Sequence, residues 1–232
     1  MDVTIKNLAI IRIGDLEIWI TETIVSTWII MLVLVLFSIV VRIRLKKFQD
    51  VPDGFQNVVE TLVETFDNFV QNTAGSKLYQ VGNWYFMIFA FLMISNLVGI
   101  VGLRAPTADL SMTLACALST FALIQAMGLK FRRGAYLKSF FEPFFLFFPL
   151  NVIGELSRPV SLGFRLFGNV LTGSILLTLI YSVAPVFLRF IIPPILHIYF
   201  DIAIGAIQTY IFCVLSLSFI GAAAKVPDET TQ

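Results

Sequence analysis

Apolar residues occur along this chain in long runs separated by short polar or basic stretches, and the length of each run decides what it can be. Residues 24–41 (IVSTWIIMLVLVLFSIVV) form the first. The run is close to the roughly 20 residues an α-helix needs to cross a hydrocarbon core. It ends on Arg42, Arg44, Lys46 and Lys47, and basic flanks stay on the cytoplasmic side, so the predicted helix runs from outside to inside. The leader, residues 1–23, carries Asp2, Asp15, Glu17 and Glu22. It lacks the short basic segment of a signal peptide, so the first span is expected to be retained.

A different pattern follows Pro52 and Gly54. Over residues 55–72 the apolar positions Val58, Val59, Leu62, Val63, Phe66, Phe69 and Val70 make a one-sided stripe of helical period, with Glu60, Glu64 and Asp67 opposite. This predicts an amphipathic surface helix. Residues 84–129 then hold two more spans, 84–103 and 110–129, joined by the short loop 104–109 into a hairpin. The second span ends on Lys130, Arg132, Arg133 and Lys138, a second cytoplasmic signal that agrees with the first.

From 140 to 224 the chain is expected to form a long, tilted helix pair. Its first member is longer than one perpendicular crossing needs and carries Glu142, Glu155, Arg158 and Arg165. Pro143, Pro149 and Pro159 are the expected breaks. A turn is expected around Arg189, Pro193 and Pro194, and the last stretch carries His197, Asp201 and Gln208 before residues 225–232 return to the cytoplasm. The fold class is therefore all-α: a polytopic membrane protein in a single membrane domain, residues 1–232. It has five membrane helices and one amphipathic surface helix, with the N-terminus outside and the C-terminus in the cytoplasm.

Composition supports this reading. The 232 residues are 58% hydrophobic and 13% charged, and the mean hydropathy of +0.89 lies far outside the soluble range. A net charge of +1 and the lack of a GxxxxGK[ST] run argue against nucleic-acid and nucleotide binding. Cys116 and Cys213 sit in separate apolar stretches and read as packing residues. With His197 as the one histidine, a resident metal site is not expected, and neither is a cofactor.

The chemistry must lie in the few polar groups inside the spans. An ionised arginine at mid-membrane costs from about 3 to above 10 kcal/mol, depending on how far water relieves it. Arg104 and Arg189, at helix ends, read as snorkelling anchors. Glu155 and Arg158 are three apart and can pair, which leaves Arg165, in GELSRPVSLGFRLFGNVLTGS, without a local carboxylate. Arg158 lies on nearly the same face two turns earlier, and Asn169 follows one turn later. On the last helix His197, Asp201 and Gln208, at spacings of four and seven, share a face. Interhelical hydrogen bonding accounts for Gln208, whereas a carboxylate such as Asp201 calls for water or a cation. Gly163, Gly168, Gly173 and Gly205 would allow close helix approach.

Two water-accessible pockets separated by a charged barrier are the arrangement these groups suggest. One fixed positive charge repels passing cations, so an ion would have to travel on a partner bringing its own carboxylate. An arginine favours the ionised form of that carboxylate and forces it to release its ion.

The segment SRPVSLGFRLFGN closely resembles the signature of subunit a of F-type ATP synthases, the static ion-channel subunit beside the rotating c-ring. The segments RAPTADLSMTLA, ISNLVGIVG and HIYFDIAIGAIQTYIF are similar as well, and the resemblance extends from about Phe55 onward. It implies that Arg165 is the essential arginine, that Asn169 and Gln208 stand near the ring, and that the last two helices curve around it almost horizontally. It also implies no catalytic residue in this chain and, as partners, the c-subunit ring, the b-subunit stator, the remainder of the synthase and the lipid bilayer of a bacterial plasma membrane. Many members carry a titratable Glu or His at the ninth position after the arginine, where this chain has Ser174. A hydroxyl cannot relay a proton by titration at neutral pH, so Asp201, with His197 one turn away, or ordered water is expected to serve that half-channel. Glu155 with Arg158 would organise the other. Protons are the expected cargo. Sodium, held transiently, is the alternative, because a hydroxyl and a carboxylate also suit a hard cation.

A self-contained secondary transporter with a midplane site is the competing reading, compatible with broken helices near Pro149 and Pro159. Five spans without paired inverted halves argue against it. An intramembrane enzyme has less support, since no nucleophile–base or metal-ligand grouping is evident.

Overall fold

A computed structural model describes residues 7–13, 16–45 and 54–224. The expected basic flank at Lys46 and Lys47, the break at Pro52 and the tail 225–232 lie outside the described residues. Two strands, β1 (Asn7–Ile13) and β2 (Leu16–Thr21), precede the helices α1 (Glu22–Leu45), α2 (Phe55–Ala74), α3 (Gly82–Leu97), α4 (Leu110–Arg132) and α5 (Gly134–Ser139). The chain ends in α6 (Phe148–Val183), α7 (Val186–His197) and α8 (Gly205–Ala224), with a π-helical stretch, Ile198–Ile204, joining the last two. Among the described residues, five helical runs are long and apolar enough to cross a membrane: Glu22–Leu45, Leu78–Val101, Leu110–Arg132, Phe145–Val183 and Phe187–Ala224. The all-α membrane fold read from the sequence stands.

The leader contributes a hairpin that the hydrophobic pattern did not announce. β1 and β2 pair antiparallel, Ile13 opposite Leu16 and Ile10 opposite Trp19, with an irregularity between Asn7 and Ala9. Isoleucines and a tryptophan in short runs on either side of a Gly-Asp pair are the composition of a hairpin.

α1 buries only Thr23, Ser26 and Ile30, one narrow stripe, and leaves Trp28, Leu32, Leu36 and Ile43 exposed. Such a surface is stable only in lipid. α2 buries Phe66, Val70 and Ala74 at helical spacing, while Val58, Leu62 and Val63 at its other end stay exposed.

α6 has 36 residues and so spans about 54 Å, against a hydrocarbon core of about 30 Å, which requires tilt or protrusion. The expected break at Pro159 does not occur: Pro159 is buried inside a continuous helix. Without water to compete for the remaining backbone hydrogen bonds, a membrane helix tolerates the one that proline removes. Pro149 is the second residue of α6, where a missing N–H costs nothing, and Pro143 lies before the helix. The turn after α6 is also displaced from its expected place. It falls at Ala184 and Pro185, where Arg189 donates from Nε to the Ala184 carbonyl at 2.7 Å. Arg189, Pro193 and Pro194 all lie within α7. The two prolines remove successive amide donors, and the helix widens into the π-helical stretch a few residues later.

The chain divides into two compact units, one drawn from Met1–Lys47, Ile88–Thr113 and Arg165–Tyr210, the other from Phe48–Met87, Leu114–Phe164 and Ile211–Gln232. In the second unit a Cβ on Gly221 would lie 3.1 Å from the Ala74 carbonyl oxygen, and one on Gly163 would lie 2.8 Å from the Leu114 side chain. In the first, Gly173 admits the Phe200 ring in the same way, whereas Gly168 faces open space.

Candidate functional site

The first unit encloses a cavity of about 560 Å³. Five of the expected site residues line it: Asn169, Ser174, His197, Asp201 and Gln208. His197 and Asp201, one turn apart across the end of α7, meet through Nδ1 and Oδ2 at 2.7 Å. Both remain partly exposed, at 25% and 20%, so the pair is accessible from the cavity. Asn169 on α6 donates from Nδ2 to Oε1 of Gln208 on α8 at 2.7 Å, cross-linking the two helices. Gln208 is 6% exposed, and its Nε2 has no partner among the described residues. Ser174 spends its proton on the Leu171 carbonyl at 2.8 Å, which leaves the hydroxyl oxygen as an acceptor.

Several residues of this cavity were not singled out from the sequence. Glu22, Asn96 and Asp109 line it, as does Arg104, which had been read only as an anchor. Asp109 accepts from Thr23 Oγ1 at 3.3 Å and from the Ser111 amide at 2.9 Å. Asn96 is buried, with its Nδ2 donating to the Gly205 carbonyl and to Thr209 Oγ1, each at 3.1 Å, while its Oδ1 accepts from Thr107 Oγ1 at 2.9 Å. Gly205 permits this contact, since a Cβ there would meet the Asn96 Cβ at 2.8 Å. Gly99 does the same for the carboxylate, because a Cβ on it would lie 2.9 Å from Asp201 Oδ2. The π-helical stretch that carries Asp201 is thus held at its far end by Asn96 and seated against Gly99. The signal was present in the sequence as a lone amide inside an apolar span. Asn96→Ala strands the hydroxyl donor of Thr107 without its acceptor and withdraws two donors from α8. It is expected to destabilise the purified subunit by about 2–3 kcal/mol, seen as a lower thermal midpoint. An unchanged midpoint would mean that water replaces the amide.

The second unit holds a smaller cavity, of about 290 Å³, lined by Glu155 and Arg158 with Tyr136, Ser139 and Asn151. The expected ion pair forms between Glu155 Oε1 and Arg158 Nη1 at 2.7 Å. The guanidinium also lies 4.9 Å from the Phe219 ring centroid, a cation–π contact that fixes its orientation. Glu155 Oε2 is buried without a partner among the described residues. Tyr136 donates to Gln125 Oε1 at 2.9 Å. Burial, reinforced by the Glu155 carboxylate, pushes its phenol above the usual range despite that hydrogen bond.

Arg165 lines neither cavity. It is exposed on α6, and among the described residues no ion pair or hydrogen bond engages it. Along the same helix Ile153, Leu156, Val160 and Phe164 are exposed. An arginine keeps its charge in proteins, so α6 presents a permanent cation with no anion among the described residues.

The family described as "ATP synthase A chain" matches residues 24–221. The chain belongs to that family. Among its relatives, "ATP synthase subunit a, sodium ion specific" of Propionigenium modestum is 34% identical over 221 residues, covering 87% of this chain and 73% of that protein. "ATP synthase subunit a" of Moorella thermoacetica is 34% identical over 219 residues, covering 93% and 95%. "ATP synthase subunit a 2" of Bradyrhizobium sp. is 35% identical over 226 residues, covering 94% and 95%. Family membership and five membrane-length helices make this an integral membrane component of an ATP synthase, in a setting of ATP synthesis and ion transport.

Proposed function

We propose that the chain is the static ion-translocating subunit of a rotary F-type ATP synthase, offering two aqueous half-channels to a c-ring with Arg165 as the barrier between them. The observation that carries this reading is the exposed Arg165, which no ion pair or hydrogen bond engages among the described residues, on an apolar helix of membrane length. A cation in that setting is stabilised by a carboxylate arriving on another chain, and a ring of carboxylate-bearing hairpins supplies one at every step. Facing Arg165, the ring carboxylate gives up its ion; moving on, it reloads. An ion therefore crosses only when the ring turns, and each charge falling through 100 mV contributes about 2.3 kcal/mol.

In this scheme the cavity of His197 and Asp201 serves as one half-channel. The Ser174 hydroxyl oxygen can accept a hydrogen bond in it but cannot titrate, so the His197–Asp201 pair carries the proton step. The Asn169–Gln208 bond keeps α6 and α8 in register beside the ring. Glu155 and Arg158 organise the other half-channel, where Glu155 Oε2 has no hydrogen-bond partner among the described residues. The c-ring and a b-subunit stator complete the membrane sector, in a bacterial plasma membrane with the N-terminus outside and the C-terminus in the cytoplasm.

Protons are the proposed cargo. Sodium is a second reading, favoured by the Ser174 and Asp201 oxygens in the larger cavity and by the sodium-specific name of the Propionigenium relative. Purified synthase in vesicles decides between them. Acidification of the lumen on ATP addition, unaffected by millimolar sodium, is the expected result. Stimulation of hydrolysis by sodium together with sodium uptake would assign the sodium reading, and a chain that purifies alone and transports a solute without the ring would overturn both.

A further inference from the structure

Residues 130–148 link α4 to α6, and among them Tyr136, Ser139 and Phe140 line the smaller cavity. The sequence KFRRGAYLKSFF places four cations, Lys130, Arg132, Arg133 and Lys138, within nine positions, and the first acid after them is Glu142. Lys130, Arg133 and Lys138 are exposed. Lys130 shares its ammonium with Gln80 Oε1 at 3.2 Å and keeps further donors free. Arg133 has φ 47 and ψ −124, the one positive-φ residue other than glycine among the described residues. Such a backbone favours glycine, and glycine is the very next residue. An exposed arginine instead occupies the strained position.

An aromatic plate follows directly. Phe141 stacks on Phe148 at 4.6 Å with rings 9° apart and on Phe145 at 5.6 Å and 13°. Phe144, Phe145 and Leu146 beside them are 71%, 76% and 86% exposed. Basic residues at helix ends have an ordinary explanation in the helix dipole, which suits Lys130 and Lys138. It accounts neither for the conformation of Arg133 nor for an oily plate next to the charges. A ligand that is anionic at one end and apolar at the other would use both the exposed cations and the plate.

We propose that this segment binds an anionic phospholipid of the cytoplasmic leaflet, with Lys130, Arg133 and Lys138 holding the headgroup phosphate and the Phe141–Phe145–Phe148 plate lying against the acyl chains. Free phosphate would leave the plate unused, and a zwitterionic lipid would gain little from three cations. Glu142 and the paired Glu155 are the acids nearest in sequence. Neither cancels the cluster, because one is a single charge and the other is committed to Arg158.

The test uses the intact ATP synthase in phosphatidylcholine vesicles doped with photoactivatable phosphatidylglycerol, or with phosphatidylcholine bearing the same probe. Adducts mapped to residues 140–148 should favour phosphatidylglycerol in the wild type. Arg133→Gln should weaken that preference by about fivefold, and Lys130→Gln/Arg133→Gln/Lys138→Gln should bring it to the phosphatidylcholine level. The charge-preserving set Lys130→Arg/Arg133→Lys/Lys138→Arg should retain it. If the triple glutamine variant does not assemble, the single Arg133→Gln decides. Equal labelling by both lipids in the wild type, undiminished preference in Arg133→Gln, or cross-links from this segment to another subunit in place of lipid would each overturn the proposal.

Discussion

Arg165→Ala is expected to abolish ATP-driven ion pumping while leaving the synthase assembled. The side chain makes no described contact within the chain, so its removal leaves no cavity and no orphaned partner. The stability change should stay within about 0.5 kcal/mol. On the proposed scheme, what disappears is the fixed charge that would discharge a carboxylate on the ring. Without it, an occupied carboxylate passes the barrier still loaded, and rotation no longer moves ions in one direction. Luminal ion uptake in reconstituted vesicles measures the loss, and a native gel of the same preparation shows the assembly. Coupled pumping at the normal rate would sink the assignment of Arg165, and loss of the assembled complex would show that the residue has a structural role.

Asp201→Asn should slow translocation by about a hundredfold, the usual contribution of a positioned proton-transfer group, again without disassembly. Asparagine matches aspartate in size, so it fits the seat beside Gly99, where a single extra carbon would already lie 2.9 Å from the carboxylate. It can also still accept a hydrogen bond from His197. The change therefore removes the exchangeable proton and the charge with little disturbance to packing. The rate of ATP-driven uptake checks it, and wild-type rates would take Asp201 out of the path.

Much of this architecture can be read from the sequence because lipid imposes simple rules. A run such as residues 24–41 has few stable alternatives to a spanning helix, and the pairing of Glu155 with Arg158 follows from a spacing of three. Reading fails where a local rule meets a tertiary one. Pro159 looks like a break but sits in an unbroken helix, and Pro193 and Pro194 look like a turn that instead falls at Pro185. The leader hairpin is hard to read in advance because its strands are short and consecutive apolar residues blur the alternation. For the larger cavity, the polar residues of the last two helices could be named in advance from spacing and resemblance. Asn96, Glu22 and Asp109 could not, since their part depends on segments distant in sequence that packing brings to one place.

The length of α6 carries a consequence for leakage. About 54 Å of helix carries exposed Ile153, Leu156, Val160 and Phe164 before Arg165 and Ile175 and Leu179 after it. Packed helices stand about 8–10 Å apart. A ring lying along this helix would therefore set several of its helices against α6 at once. Apolar side chains before and after the cation along the axis would then form a sleeve with the ring. Insulation against short-circuit would reside in that sleeve as much as in the charge at its middle, and the yield of ATP per ion would be guarded by residues that never touch an ion.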